Sequence, residues 1–190
     1  MKAYTGVGSR STPKHIFEMM VEAGYKLASS GYTLRSGAAE GADAAFETGV
    51  VKWFQENGES YPAPASLAQI YIPWSGFAGV DEDYKDWYKV LDRLPNKDKA
   101  QEMASEIHPA WDKCSRGAKA LHTRNVYQVL GTSLNAPSQF LICWAEVDKQ
   151  GKPKGGTRTS WMLGEQYIGV DKCFNLYFDE HRERVEAWLK

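Results

Sequence analysis

The sequence predicts an α/β fold on an open, mainly parallel sheet of about five strands. Two observations carry this reading. Short apolar runs alternate with longer segments of helical period along the chain, and such alternation calls for parallel strands joined by right-handed crossovers. Glycine-rich turns follow three of the apolar runs, where strands hand over to helices.

Met1–Val7 is the first expected strand and runs into Gly8-Ser9-Arg10. Ser11 or Thr12 caps a helix whose first turn holds Pro13, the place where a missing N–H costs nothing. Ile16, Phe17, Met20, Ala23, Gly24 and Leu27 give that helix one apolar face, and Gly31 ends it. Tyr32–Arg35 is a second strand, Ser36–Asp43 a small-residue turn, and a second helix runs from about Ala42 to Asn57. Gly58–Ser66 reads as a loop, Ala68–Pro73 as a third strand, and Trp74–Asp83 as a loop again. The stretch after it is irregular or partly helical until a helix over Lys97–His108, which Pro109 stops. A further helix is expected around Thr123–Leu130. Phe140–Glu146 (FLICWAE) is continuously apolar, as in a strand covered on both faces. Val147–Lys154 is a polar hairpin or loop, a helix runs from Arg158 to about Ile168, and Lys172–Tyr177 is the last strand. Glu180–Lys190 closes the chain as an amphipathic helix. The sum is a Rossmann-like three-layer sandwich, one domain over residues 1–190, with an insertion at about 76–120.

Bulk properties exclude several classes. The net charge of −1 gives no support for a broad nucleic-acid surface, which normally needs a basic excess. No apolar run approaches the ~20 residues that span a bilayer, so no membrane is expected. The N-terminus MKAYTGVGSR lacks the apolar core of a signal peptide. Cys114, Cys143 and Cys173 are odd in number and form no CxxC pair, which suits a reducing, cytoplasmic compartment. His15, His108, His122 and His181 show no paired ligand spacing, so neither metal nor cofactor is expected. There is no GxSxG, no Walker A motif and no complete GxGxxG.

Candidate ligand contacts fall at the expected strand ends. In Thr5–Arg10, Gly6 and Gly8 admit a close backbone approach, Ser9 offers a hydroxyl, and Arg10 a fork for phosphate. Ser36, Gly37 and Gly41 repeat the device, with Glu40 the most available carboxylate and Asp43 in the first helical turn. Lys154-Gly155-Gly156-Thr157-Arg158 combines glycines, a hydroxyl and two bases at a helix start. His122-Thr123-Arg124-Asn125 is read as a fourth element that starts a helix. The many aromatic residues pack the core, and a base-stacking role for some of them stays open.

These segments resemble the SLOG superfamily, which joins the DNA-processing protein DprA, the LOG phosphoribohydrolases and the YspA-like proteins. The resemblance rests on GVGSRSTP at 6–13, SGAAEGAD at 36–43, HTRN at 122–125 and GGT at 155–157, nearest the YspA-like and DprA-like branches. It implies a Rossmann-like domain that binds nucleotides, their derivatives or nucleic-acid ends. Gly8, Ser9, Arg10, Ser36, Gly37, Gly41, Asp43, Arg124, Asn125, Gly156 and Thr157 would line its pocket. Two departures are visible. Ala38 stands where the family often has a second glycine, and the glutamate that LOG enzymes carry after the G-T helix start is missing from Arg158-Thr159-Ser160-Trp161.

The expected function is therefore binding of a nucleotide or nucleotide-derived phosphate, as a sensor or sequestering protein and as a homo-oligomer. Two alternatives stand beside it. One is a hydrolase of a nucleotide N-glycosidic bond, with Glu40 and Asp43 as its catalytic carboxylates and Glu47 a further candidate. The other is a DprA-like single-stranded DNA binder, which the near-neutral charge does not favour.

Overall fold

The computed structural model describes residues 2–57, 66–80 and 86–190. The expected loop at 58–65 and the part of the next one at 81–83 lie outside the described residues. Six strands are present: β1 (Lys2–Gly8), β2 (Tyr32–Ser36), β3 (Ala68–Ile72), β4 (Tyr88–Val90), β5 (Leu141–Trp144) and β6 (Cys173–Asn175). The helices are α1 (Lys14–Ser29), α2 (Ala42–Asn57), α3 (Lys97–Ile107), α4 (Arg116–Leu130), α5 (Thr157–Tyr167) and α6 (Asp179–Leu189). No helix among the described residues is long and apolar enough to cross a membrane.

All strand pairs are parallel and the order is β4-β3-β2-β1-β5-β6. The chain therefore walks outward from β1 to β4, then returns to add β5 and β6 on the other side of β1. The sheet has a topological switch point between β1 and β5, where Gly8 pairs with Trp144 at the strand ends. The α/β class with an open parallel sheet is as expected; the sixth strand, β4, was not. It lies in the stretch read as irregular, because three residues are too few to show a period. The described part of 76–120 thus adds an edge strand and, with α3, a helix beside α4.

Strand alternation fills two cores. Tyr4, Leu34, Ile70, Ile72, Ile142 and Phe174 pack with Met20, Phe46 and Val50 of α1 and α2, and Val185 of α6. Val7, Tyr71, Leu141, Cys143 and Cys173 pack on the opposite face with Val126, Leu130 and Leu163 of α4 and α5. Helices cover both faces of the sheet, as a three-layer sandwich requires. The two buried cysteines belong to this second core.

Helix boundaries differ from expectation at two places that bear on function. Helix α1 has Pro13 rather than Ser11 or Thr12 at its N-cap, and the two hydroxyl residues instead fold the preceding turn. Ser9 Oγ accepts from Ser11 N at 3.1 Å and Thr12 Oγ1 donates to Ser9 O at 2.7 Å. Helix α4 begins at Arg116, because Ser115 Oγ accepts from Ala118 N at 3.2 Å and caps it. His122–Asn125 therefore lies inside a helix rather than at its start.

Helices α1 and α2 cross almost backbone to backbone. A Cβ on Gly49 would stand 2.1 Å from Val21 O and 2.7 Å from Tyr25 N, both main-chain atoms that cannot rotate away. Gly49→Ala is thus expected to destabilise by about 3 kcal/mol, the upper part of the overpacking range. Urea unfolding tests this; a midpoint equal to wild type would mean that the helices separate at no cost.

Candidate phosphate-binding site at the sheet switch point

A cavity of about 540 Å³ opens at the carboxyl ends of β1 and β5, where open parallel sheets hold their ligands. Its wall includes Gly8 at the end of β1 with Ser9 and Arg10 after it, Trp144 at the end of β5 with Ala145 and Glu146 after it, and Lys154 to Thr157 entering α5. Helix α4 contributes Leu121, Arg124, Asn125 and Gln128, whose spacing places them on one helical face. Of the residues expected from the sequence, Gly8, Ser9, Arg10, Asp43, Arg124, Asn125, Gly155, Gly156 and Thr157 meet here.

Ser36, Gly37 and Gly41 do not line the cavity; they build its support. Ser36 Oγ donates to Gly6 O at 2.6 Å, which ties β2 to β1. Gly41 has φ +76, and a Cβ there would lie 2.3 Å from Ser9 O, so the turn docks directly on the β1 loop. Ala42 N donates to Ser9 O at 3.2 Å, and Asp43 Oδ1 accepts from Gly8 N at 3.1 Å. Ser36, Gly37 and Gly41 thus hold the shape of the GVGSR loop, while Ala39 and Asp43 of the same segment reach the cavity wall. Ala38, where a glycine is frequent in the resembling family, takes the left-handed conformation at φ +55 without one.

Arg124 and Asn125 tie the remaining loops to α4. The Arg124 guanidinium lies over Gly37 and pairs with Asp43 at 3.7 Å. Asn125 Nδ2 donates to Gly156 O at 3.0 Å, fixing the turn that starts α5. The Gln128 carboxamide satisfies both its ends with its oxygen toward Arg124 Nη1 and Gly37 N. Its nitrogen then reaches Ser160 Oγ at 3.1 Å and Asn125 Oδ1 at 3.2 Å. Arg124 Nε has no partner although it is buried. A buried, under-satisfied guanidinium on a cavity wall has its strongest remaining interaction with an anion.

Charge on the wall is graded by burial. Arg10 is exposed and makes no hydrogen bond or ion pair with another described residue. Lys154 pairs with Glu146 at 3.2 Å in the open. Arg158 is not on this wall; it pairs with Asp148 at 2.5 Å. Burial pushes the Asp43 carboxyl up to about 6, with Arg124 and the N–H groups of Ala39, Gly8 and Gly37 pulling the other way. Of the other carboxylates considered for catalysis, Glu40 is exposed outside the cavity wall and Glu47 accepts from Tyr88 OH.

Sequence reasoning placed Lys154 at this site but missed its partner Glu146, and it missed Gln128, Trp144 and Ser160. The i, i+4 spacing from Arg124 to Gln128, which lies inside the expected helix, is the signal that would have found Gln128. The fold also gathers His108, Cys114 and His122, whose ligand atoms lie within 4.8 Å of one another although their spacing suggested no site. Burial, with His108 and Arg124 nearby, pushes His122 down to about 4, so its ring is neutral.

No family model and no curated protein matches the chain. Among solved structures, it is similar to DNA processing protein A from Helicobacter pylori, described for a unique single-stranded DNA binding mode. That chain is 19% identical with a TM-score of 0.46, and the match covers 100% of this chain and 73% of that one.

Proposed function

We propose that the protein binds a phosphorylated nucleotide in the cavity between β1 and β5, with phosphate held by Arg124, Arg10 and the Gly8–Arg10 and Gly155–Thr157 turns. The observation that carries this reading is Arg124, a buried cation with an unpartnered Nε on the wall of a cavity at the sheet switch point. Arg10 supplies a second guanidinium free to move onto the ligand. The resemblance of four segments to SLOG proteins agrees with a nucleotide as the class of ligand. The reading is a binder rather than a hydrolase, because Asp43 is committed to holding Gly8 N and pairing Arg124.

Calorimetric titration with nucleoside mono-, di- and cyclic phosphates, and with the parent nucleosides, tests it. At least one phosphate is expected to bind while its nucleoside does not, and Arg10→Ala should weaken that phosphate about tenfold with unchanged stability. A panel without a binder, or a nucleoside that binds as well as its phosphate, would sink the reading.

A second reading has an observation of its own. Tyr177 is 43% exposed and its ring lies 6.5 Å from that of Trp144 on the cavity wall. A ring beside a phosphate site is what single-stranded nucleic acid uses for stacking. An oligodeoxynucleotide that outcompetes every mononucleotide, with affinity falling linearly in log salt, would favour this reading over the first.

The site also has an expected pH dependence. Asp43 titrates at about 6 in the folded protein against an ordinary 3.8, so its protonated form is the one folding favours, and the stability it contributes is lost as pH rises through that window. For an anionic ligand the sign is the same: ionised Asp43 repels the phosphate and competes for Arg124. A dinucleoside monophosphate, whose phosphodiester does not titrate there, should bind several-fold tighter at about pH 5 than at about pH 7.5. Asp43→Asn should flatten the profile; a profile that persists in that variant would assign the titration to another group.

A further inference from the structure

A second cluster lies outside the nucleotide cavity, on the loop between α3 and α4. His108 follows the last turn of α3, Cys114 precedes the Ser115 cap, and His122 is in the second turn of α4. Cys114 Sγ stands 3.7 Å from His108 Nδ1 and 3.8 Å from Nε2, and the two imidazole rings are 4.4 Å apart at their centroids. A tetrahedral zinc with bonds of about 2.0–2.3 Å sets neighbouring ligand atoms roughly 3.3–3.7 Å apart. The three side chains are therefore near ligating distance and need only small rotations.

We propose that His108, Cys114 and His122 form a three-ligand site for a late divalent transition metal, zinc foremost, with a non-protein ligand in the fourth position. Two imidazoles and one thiolate are the soft and borderline donors that select zinc over calcium or magnesium. The other partners of these atoms are weak and replaceable. Ala110 N donates to His108 Nδ1 at 3.2 Å, and Cys114 Sγ reaches Ala110 O at 3.6 Å. His122 is already oriented for the task. Its Nδ1 lies 2.8 Å from Thr159 Oγ1, so in the metal-bound form this nitrogen donates to the hydroxyl and leaves Nε2 for the metal.

The surroundings place the fourth position. His108 and His122 line a cavity of about 300 Å³ together with Gly155, Gly156, Arg158 and Thr159. Gly155 and Gly156 also line the nucleotide cavity, so one loop is shared by the two sites. Metal binding would brace the α3–α4 connection against α4, and Thr159 would couple it to α5. Trp111, 6.4 Å from His108 and 6.5 Å from His122 between ring centroids, shields one side of the cluster.

The test uses the full chain stripped of metal by chelator and titrated with cobalt(II), then with zinc(II) in competition. One equivalent of cobalt is expected to give tetrahedral visible bands and a near-ultraviolet thiolate-to-cobalt band, both displaced by zinc. Cys114→Ser should abolish the thiolate band, and His122→Ala should weaken binding at least tenfold, while the exposed His15→Ala changes neither. Circular dichroism confirms that each variant is folded. The proposal is overturned if wild type shows no thiolate-to-cobalt band, or if the band survives in Cys114→Ser. The readout uses no nucleotide, so failure here leaves the nucleotide reading untouched, and the converse holds as well.

Discussion

Replacing Arg124 with alanine is expected to remove nucleotide binding while leaving the fold in place. Truncating one side of a buried, charge-assisted contact costs about 2–5 kcal/mol of affinity, which is roughly 30-fold or more in Kd. The fold should survive for a reason specific to this site. Deleting a buried cation normally strands its counter-ion, but the Asp43 carboxyl is already pushed up to about 6 by burial. Without Arg124 it rises further toward the neutral form, which reduces the charge left uncompensated. Arg124→Lys should not rescue binding, because an ammonium cannot span both Asp43 and a phosphate as the guanidinium fork does. Calorimetry and a thermal melt together check this. Binding within threefold of wild type would remove Arg124 from the account.

The second large effect comes from a residue that never touches the ligand. A methyl group on Gly37 would stand 1.4 Å from Arg124 Nη1, 2.2 Å from its Cζ and 2.3 Å from the Gln128 side-chain amide. Gly37→Ala must therefore expel the guanidinium from its place between Asp43 and Gln128. The expected result is loss of binding as complete as in Arg124→Ala, with a stability cost of about 1–3 kcal/mol for the overpacked turn. The two changes should not add. In the double variant the shorter side chain at 124 makes room for the methyl, so stability recovers toward that of Arg124→Ala while binding stays absent. Urea unfolding of the four proteins measures this coupling; additive costs would show that the methyl strains the backbone and not the arginine.

The strand-turn-helix rhythm was legible because glycine and proline punctuate it, and the strand ends it located are where the cavity lies. Legibility failed where a feature has no local period. The strand Tyr88–Val90 has three residues and gains its stability from pairing with β3. Helix α4 starts at Arg116, ahead of the expected Thr123, because Ser115 supplies the cap. The roles within SGAAEGAD were also not readable, since a glycine that admits a ligand and one that admits a neighbouring loop look alike in sequence. Gly41 serves Ser9 O and Gly37 serves Arg124, contacts that only the packed fold reveals. The trio His108, Cys114 and His122 has no ligand motif, because its members are joined by a helix end and a cap rather than a tight turn.

Phosphate is expected between the β1 loop and the start of α5, beside Arg124. The most direct measurement is amide chemical-shift mapping of the labelled protein titrated with nucleoside phosphates, a short oligodeoxynucleotide and the matching nucleosides. The N–H groups of Gly8, Ser9, Gly156 and Thr157 and the side-chain N–H of Arg124 should shift together and saturate with one phosphate ligand, and stay in place with its nucleoside. Shifts that cluster elsewhere, or that the nucleoside reproduces in full, would contradict the account.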